Sequence, residues 1–295
     1  MDVHVKRLGW IGLIRLLPRS ALSAAVGRLA AVRIPTSLRR PLWRFFAWAV
    51  GADLGEIRDP LESFVCLQDF FTRSLREGIR PLSTDPAALV SPCDGTWGES
   101  GLVASDRLVQ IKGRTYSLSE LLDDPEEASH FEGGEFATFY LAPRDYHRFH
   151  APFSLRIQRV THIPGQLWPV NRIGLEGVPD LFARNERVCA YMQLDGLNEG
   201  QSTNLVMVAV GATLVGRIRL AFDDWVSRRR GARRAVRRYA GGVFRHRGEE
   251  WGRFEFGSSI VMIVAPGCAS LEHRAPGSTV RLGQSIGQID PRMSS

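Results

Sequence analysis

At 295 residues the chain has room for one large domain or two modest ones, and for a sizeable core that needs no disulfide staples. It is 44% hydrophobic and 23% charged, with 29 Gly and 16 Pro, which excludes disorder, collagen and coiled coil as its main state. The formal net charge is +7, and among 38 basic residues only Lys6 and Lys112 are lysines, so chemistry that needs a Schiff-base lysine has two candidates.

The charge is uneven. Residues 1–60 hold ten Lys/Arg against four acids, and no acid falls between Asp2 and Asp53. Seven more arginines stand at 228–230, 233–234 and 237–238; these two regions carry +13, which leaves −6 for the rest.

In chain order, the apolar start 8–17 is broken by Arg15 and the next stretch by Arg28 and Arg33. No run reaches the roughly 18 to 20 uncharged apolar residues of a membrane-spanning helix. Lys6 and Arg7 before an apolar run, with Ala21-Leu22-Ser23-Ala24 after it, have the outline of a secretory signal, but the unbroken run 8–14 is short for one. Trp10, Leu13 and Leu17 share one helical face with Arg15 opposite, and Pro18 interrupts. The stretch Leu42-Trp43-Arg44-Phe45-Phe46-Ala47-Trp48 is rich in aromatics. Arg beside Trp and Phe on short amphipathic helices suits an anionic membrane surface. It equally suits a helical subdomain packed on the body with a solvated basic face.

Residues 1–80 read as helical, with a short amphipathic stretch at 69–76 closed by Pro81. After Pro86 the texture changes to short apolar runs between Gly, Pro and Asp. Runs at 135–141, 155–162, 188–194, 205–210, 213–220 and 260–264 have strand length, and 118–122 and 181–185 predict short helices. The arginines of 228–238 have only Trp225 and Tyr239 as neighbouring aromatics, which favours a solvated loop or lipid contact over nucleic acid. The segment 276–287 alternates and turns on glycine, as hairpins closing a small sandwich or barrel do. The expected fold class is α+β: a mostly antiparallel, sandwich- or barrel-like β body at 81–295 behind an N-terminal amphipathic helical region, 1–80. Cys66, Cys93, Cys189 and Cys268 are scattered and form no C-x-x-C pair, which fits structural thiols in a reducing compartment.

Three places can carry chemistry. Asp94 lies in the turn Ser91-Pro92-Cys93-Asp94-Gly95, where Asp-Gly alone signals only a tight turn. His147 and His150 fall three apart between Pro143 and Pro152, as a metal pair, an acid/base pair or two polar loop residues. Gly257-Ser258-Ser259 leads into the apolar run Ile260 to Val264, which by itself reads as a bulge or turn.

In conjunction and in order, these pieces resemble the phosphatidylserine decarboxylase family over most of the chain. The resemblance runs through Phe70-Phe71-Thr72-Arg73, Arg80-Pro81-Leu82, the Ser91 turn and the 143–150 run. It continues through Gly165-Gln166-Leu167-Trp168-Pro169-Val170-Asn171, Phe182-Ala183-Arg184-Asn185-Glu186-Arg187, the glycines of 210–216 and the Gly257-Ser258 junction. It implies a proenzyme that cuts itself between Gly257 and Ser258, giving a heavy chain 1–257 and a light chain 258–295. By matching positions, Ser258 becomes a covalent pyruvoyl cofactor and Asp94, His150 and Ser258 are the self-cleavage triad. His147 matches the histidine associated with decarboxylation. The family signature most often reads Leu-Gly-Ser-Thr; here it is Phe256-Gly257-Ser258-Ser259, which keeps a hydroxyl beside the cleaved bond.

The chemistry agrees with that transfer. A serine hydroxyl needs a base to take its proton and an acid to orient that base. The acyl shift, a β-elimination and hydrolysis then yield pyruvoyl, whose carbonyl forms a Schiff base with the substrate amine and serves as electron sink. His147 is the acid/base for the substrate carbon. The resemblance further implies phosphatidylserine and an anionic membrane surface as partners, a homodimer, a peripheral place on the cytoplasmic side of the cell membrane, and no nucleic acid. No metal enters the scheme. The rivals are a Ser-His-Asp lipid hydrolase, which lacks Gly-x-Ser-x-Gly around Ser258, and a non-enzymatic membrane or carrier module, which lacks a carrier lysine. A metal hydrolase built on His147 and His150 is a third.

Overall fold

The structure is a computed structural model and describes residues 26–196, 203–213, 217–224, 227, 233–255 and 257–290. The amphipathic stretch 10–17, the signal-like start, the arginines 228–230 and Phe256 lie outside these residues.

The helix Thr36–Val50 starts after Pro35 and stops at Gly51, whose left-handed backbone (φ 77°) only glycine adopts at no steric cost. Its Trp43 and Ala47 are buried in a small cluster with Ile57, Phe64 and Phe70. Trp43 stacks on Phe70 at 5.5 Å and donates its indole N–H to Phe64 O at 3.0 Å. Another stripe, with Leu38, Leu42, Phe45 and Trp48, is exposed. The rest of the N-terminal region is less helical than its sequence predicts. Two short 3-10 turns follow, and the helix expected at 69–76 is Leu67–Phe71, ended at Thr72.

The body is antiparallel β. Its main sheet holds eight strands in the spatial order Ala235–Arg245, Leu155–Ile163, Arg187–Leu194, Leu205–Val210, Ser258–Val264, Glu135–Leu141, Gly95–Leu102 and Thr279–Val280. Ser258–Val264 and Leu205–Val210 are buried at every position, which explains why they read as unbroken apolar runs rather than alternating ones. Leu118–Leu122 and Leu181–Arg184, the two short helices expected from sequence, pack their leucines and Phe182 into the same core.

The sequence reading differs from the structure in three details. Among the described residues of the run 213–220, the strand is Ile218–Leu220. The arginines at 237–238 are not in a loop but in the edge strand Ala235–Arg245, opposite Val160 and Arg159. The two strands of the segment expected to form a hairpin do not pair with each other: Thr279–Val280 joins Gly95–Leu102, and Ser285–Ile289 joins Ala88–Val90 and Ala269–Leu271.

A smaller sheet sets up the site. Glu250–Phe254 lies between Ile218–Leu220 and Arg148–His150. Phe254 N donates to His147 O at 2.9 Å, so the chain that enters the Gly257-Ser258 junction runs beside the two histidines.

Candidate active site

The turn carrying Asp94 is fixed from below. Ser91 Oγ donates to Cys93 O, and Gly95 is needed because a Cβ there would meet Tyr140 O at 2.4 Å. The Asp94 carboxylate is buried. It accepts from Arg80 Nε (2.9 Å) and Nη2 (2.6 Å) and from Leu282 N (2.8 Å). The other face of the Arg80 guanidinium holds Glu56, with Nη2 to Oε2 at 2.6 Å. Burial disfavours the Arg80 charge, but hydrogen bonds and attraction from Asp94 and Glu56 outweigh it and raise its pKa.

His150 ends the strand Arg148–His150, and its backbone N–H is held by Pro92 O at 2.7 Å, which sets it beside the Asp94 turn. Its Nδ1 lies 2.8 Å from Gly248 O; since a carbonyl only accepts, Nδ1 carries the proton. Nε2 is then a lone pair, and it accepts from Tyr146 OH at 3.2 Å. Burial lowers the His150 pKa, so the ring is neutral at neutral pH.

His147 is fully buried under the Phe71 ring, with centroids 4.1 Å apart. Nδ1–H donates to Asp145 O at 2.8 Å, and Nε2 has no hydrogen-bond partner. Burial first, and the Arg73 charge second, push its pKa down to about 3. A Cβ built on Gly257 would sit 3.5 Å from that bare Nε2 and 3.2 Å from Leu141 O. Ser258 and Ser259 pair with Leu141 and Tyr140 on one side, and Ser259 with Val210 on the other. Both serine hydroxyls are buried without a hydrogen-bond partner. Buried polar atoms are nearly always paired, and among the described residues three of the unpaired ones gather around this one peptide bond.

A largely apolar cavity of about 310 Å³ opens at Gly257. Leu141 and Thr213 line it from the body, Phe71 from the helix Leu67–Phe71, and Phe46 and Val50 from the helix Thr36–Val50. Asn185 ties together the chain next to two lining residues, Pro169 and Ala212, accepting from Trp168 N and donating to Trp168 O and Gly211 O at 2.8 to 2.9 Å.

Asp94, His147 with His150, and Ser258 thus come from three distant stretches into one region, but not as a hydrogen-bonded triad. Gly248 O, not Asp94, fixes the His150 tautomer, and His147 rather than His150 is the ring beside Gly257. Sequence reasoning gave no role to Arg80, Glu56 or Tyr146. Tyr146 stands four residues before His150, which was the only local signal available. Among the described residues no group of three or more His, Cys, Asp or Glu could hold a metal. The four cysteines are all buried.

A family model described as phosphatidylserine decarboxylase matches residues 67–288. The chain is 40% identical over 281 residues to the phosphatidylserine decarboxylase proenzyme of Anaeromyxobacter sp. (strain K), covering 94% of this chain and 97% of that protein. It is 40% identical to the protein of that name from Azoarcus sp. (strain BH72), over 93% of each chain. With that of Myxococcus xanthus (strain DK1622) the identity is 37%, over 94% of this chain and 97% of the relative.

Proposed function

The chain belongs to the phosphatidylserine decarboxylase family, and from that premise we propose that it is made as one chain, cuts itself between Gly257 and Ser258, and uses a carbonyl formed at Ser258 to release CO2 from its substrate. The reaction converts phosphatidylserine to phosphatidylethanolamine and CO2, so the enzyme is a lyase. One observation carries the self-cleavage reading. Two buried, unpartnered groups flank a single peptide bond, Ser258 Oγ on one side and His147 Nε2 beside Gly257 on the other.

Ser258 Oγ, once deprotonated, attacks the Gly257 carbonyl carbon, and the acyl group moves from nitrogen to oxygen. Elimination of the Gly257 carboxylate leaves dehydroalanine. Hydrolysis, with loss of ammonia, leaves pyruvoyl at the head of a light chain 258–295. That group supplies an electron sink for the pair left on the substrate carbon as CO2 departs. His150 fits the base of the cleavage step: its tautomer is fixed, its Nε2 lone pair is held only by a phenol, and Asp94 acts on it through space. His147 fits proton movement at the substrate carbon, because a neutral, unoccupied Nε2 lies beside Gly257, which lines the cavity.

The same reading divides the chain into a membrane-associating region, 1–80, and a catalytic body, 81–295. Support comes from the helix Thr36–Val50, which exposes Phe45 and Trp48 at 63% and 78%, beside exposed Arg40 and Arg44. Its opposite side contributes Phe46 and Val50 to the cavity. An anionic membrane surface meets the aromatics with its interface and the arginines with lipid phosphate. A peripheral position on the cytoplasmic side and a homodimer complete the proposal, the latter resting on the family resemblance alone.

Intact mass under denaturing conditions tests it. Active protein should give two chains that meet at Gly257/Ser258, the lighter one lacking a free amino terminus. A single unmodified chain in active protein would sink the reading, and Ser258→Ala should leave one uncut chain.

A further inference from the structure

Arg73 follows the cap of the helix Leu67–Phe71 and turns back into the body, where it is 4% exposed. Its guanidinium lies 5.5 Å from the Phe70 ring centroid. Nη2 donates to Arg144 O at 2.7 Å and to Asp145 O at 3.2 Å. Asp145 O is also the acceptor for His147 Nδ1–H, so one carbonyl ties the guanidinium to the imidazole that faces Gly257. Among the described residues Nε and Nη1 are buried and find no acceptor, and the Arg73 hydrogen bonds go to backbone carbonyls rather than to a carboxylate. Arg80 offers the contrast: its side chain, 7% exposed, is paired with both Asp94 and Glu56. A buried cation with three unmatched N–H groups is costly unless an anion completes it.

We propose that Arg73 is the anion anchor of the active site and binds the phosphodiester of the substrate headgroup through Nε and Nη1. The inference rests on the decarboxylase reading above. A phosphodiester fits better than the departing carboxylate. A guanidinium holding the carboxylate would stabilise it most before CO2 leaves, whereas its grip on the phosphate is the same before and after. In a phosphoserine headgroup the phosphorus lies one oxygen beyond Cβ. An anchor tied to the same carbonyl as His147 therefore leaves Cα within that ring's reach.

The probe is glycerophosphoethanolamine, which has the phosphodiester and the amine but no carboxylate. Free serine, which has the carboxylate and the amine but no phosphate, is the comparison. Binding is measured by calorimetry on the Ser258→Ala chain, with and without Arg73→Gln, so that processing plays no part. The expected result is roughly tenfold or more weaker binding of glycerophosphoethanolamine in Arg73→Gln, unchanged serine, and partial recovery in Arg73→Lys, which keeps charge but not the planar donor set. Unchanged affinity for the phosphodiester overturns the proposal, as does no measurable binding to the parent chain. A loss confined to serine also overturns it, by assigning the carboxylate to Arg73. If Arg73→Gln melts without a cooperative transition, Arg73→Lys carries the comparison, and affinity equal to the parent then overturns it. In the self-cleaving chain, Arg73→Lys should raise KM for phosphatidylserine with kcat within about twofold, the pattern of a grip equal in ground and transition states. A fall in kcat at unchanged KM counts against the anchor. An uncut parent chain would instead sink the self-cleavage reading and leave the binding result standing.

Discussion

His147 directs a bare imidazole nitrogen at Gly257: the ring's Nε2 is unpartnered and lies 3.5 Å from the point a Gly257 Cβ would occupy. His150, three residues on, spends its Nε2 on Tyr146. The two rings are therefore separable by mutation. His150→Ala should leave a single uncut chain. His147→Ala should cut and then decarboxylate about 10² to 10⁴ times more slowly, the span of one lost acid/base group. Gel mobility reads the first and CO2 release the second. The reverse pattern, with His147→Ala uncut and His150→Ala processed, would reassign the cleavage base to His147.

The depressed histidines also shape stability against pH. Folding lowers the His147 pKa to about 3 and lowers that of His150 as well, so below pH 6.5 the unfolded chain binds more protons than the folded one. Their contribution is complete above the unfolded pKa and is lost as pH falls toward the folded values. Each proton adds a slope of at most about 1.4 kcal/mol per pH unit. Urea midpoints should fall steadily from pH 7 to pH 4, and His147→Gln should flatten that slope. Equal slopes in parent and variant would show that His147 is protonated in the folded protein.

Arg80 holds two carboxylates at once, with side-chain exposures of 7% for itself, 8% for Asp94 and 21% for Glu56. Removing the cation strands buried charge, which costs about 3–5 kcal/mol. Arg80→Ala should lose stability of that order in urea and slow self-cleavage by releasing Asp94. Asp94→Asn should cost less, since Glu56 still pairs with Arg80, yet should block cleavage if Asp94 belongs to the triad. Full cleavage in a folded Asp94→Asn chain would remove it.

Phe45 and Trp48 touch each other, at 5.7 Å between ring centroids, and little else. Replacing both by Glu should leave the urea midpoint unchanged and weaken sedimentation with anionic vesicles by about tenfold or more. For the parent chain, raising salt from about 0.05 to about 0.5 M should weaken binding too, since screening removes the arginine share. Vesicle binding that is indifferent to both changes would assign this stripe to protein contact.

Much of the fold was legible because it follows local rules. Leu118–Leu122 begins at Ser117, whose hydroxyl caps Glu120 N, and it came out at its expected bounds. The buried strands announced themselves as apolar runs. Strand order was not legible, because Ser258–Val264 inserts between Leu205–Val210 and Glu135–Leu141, a pairing no local pattern encodes. Arg237 and Arg238 misled for another reason: charge argues for a loop, but an edge strand exposes one side. There Arg237 reaches Asp223 at 2.8 Å and the strand bulges at Gly241 and Gly242, both at φ 72°. In the candidate site, the residue types proposed to react could be read from motifs. Their partners could not: Arg80 is 14 residues from Asp94 and Gly248 is 98 from His150, with nothing between to signal the contact.

Ser258 opens a strand that is hydrogen-bonded along both edges, to Leu141 and its neighbours on one side and to the Val210 strand on the other. A cofactor on lysine rides a four-carbon arm and can sweep to meet its substrate. A carbonyl at the head of this strand has no arm. On the proposed function all the travel would fall to the lipid, whose amine would have to be lifted to a stationary point, and reach would become the selective quantity. A headgroup one methylene longer or shorter would overshoot or stop short of Ser258, with no motion of the catalyst to correct it.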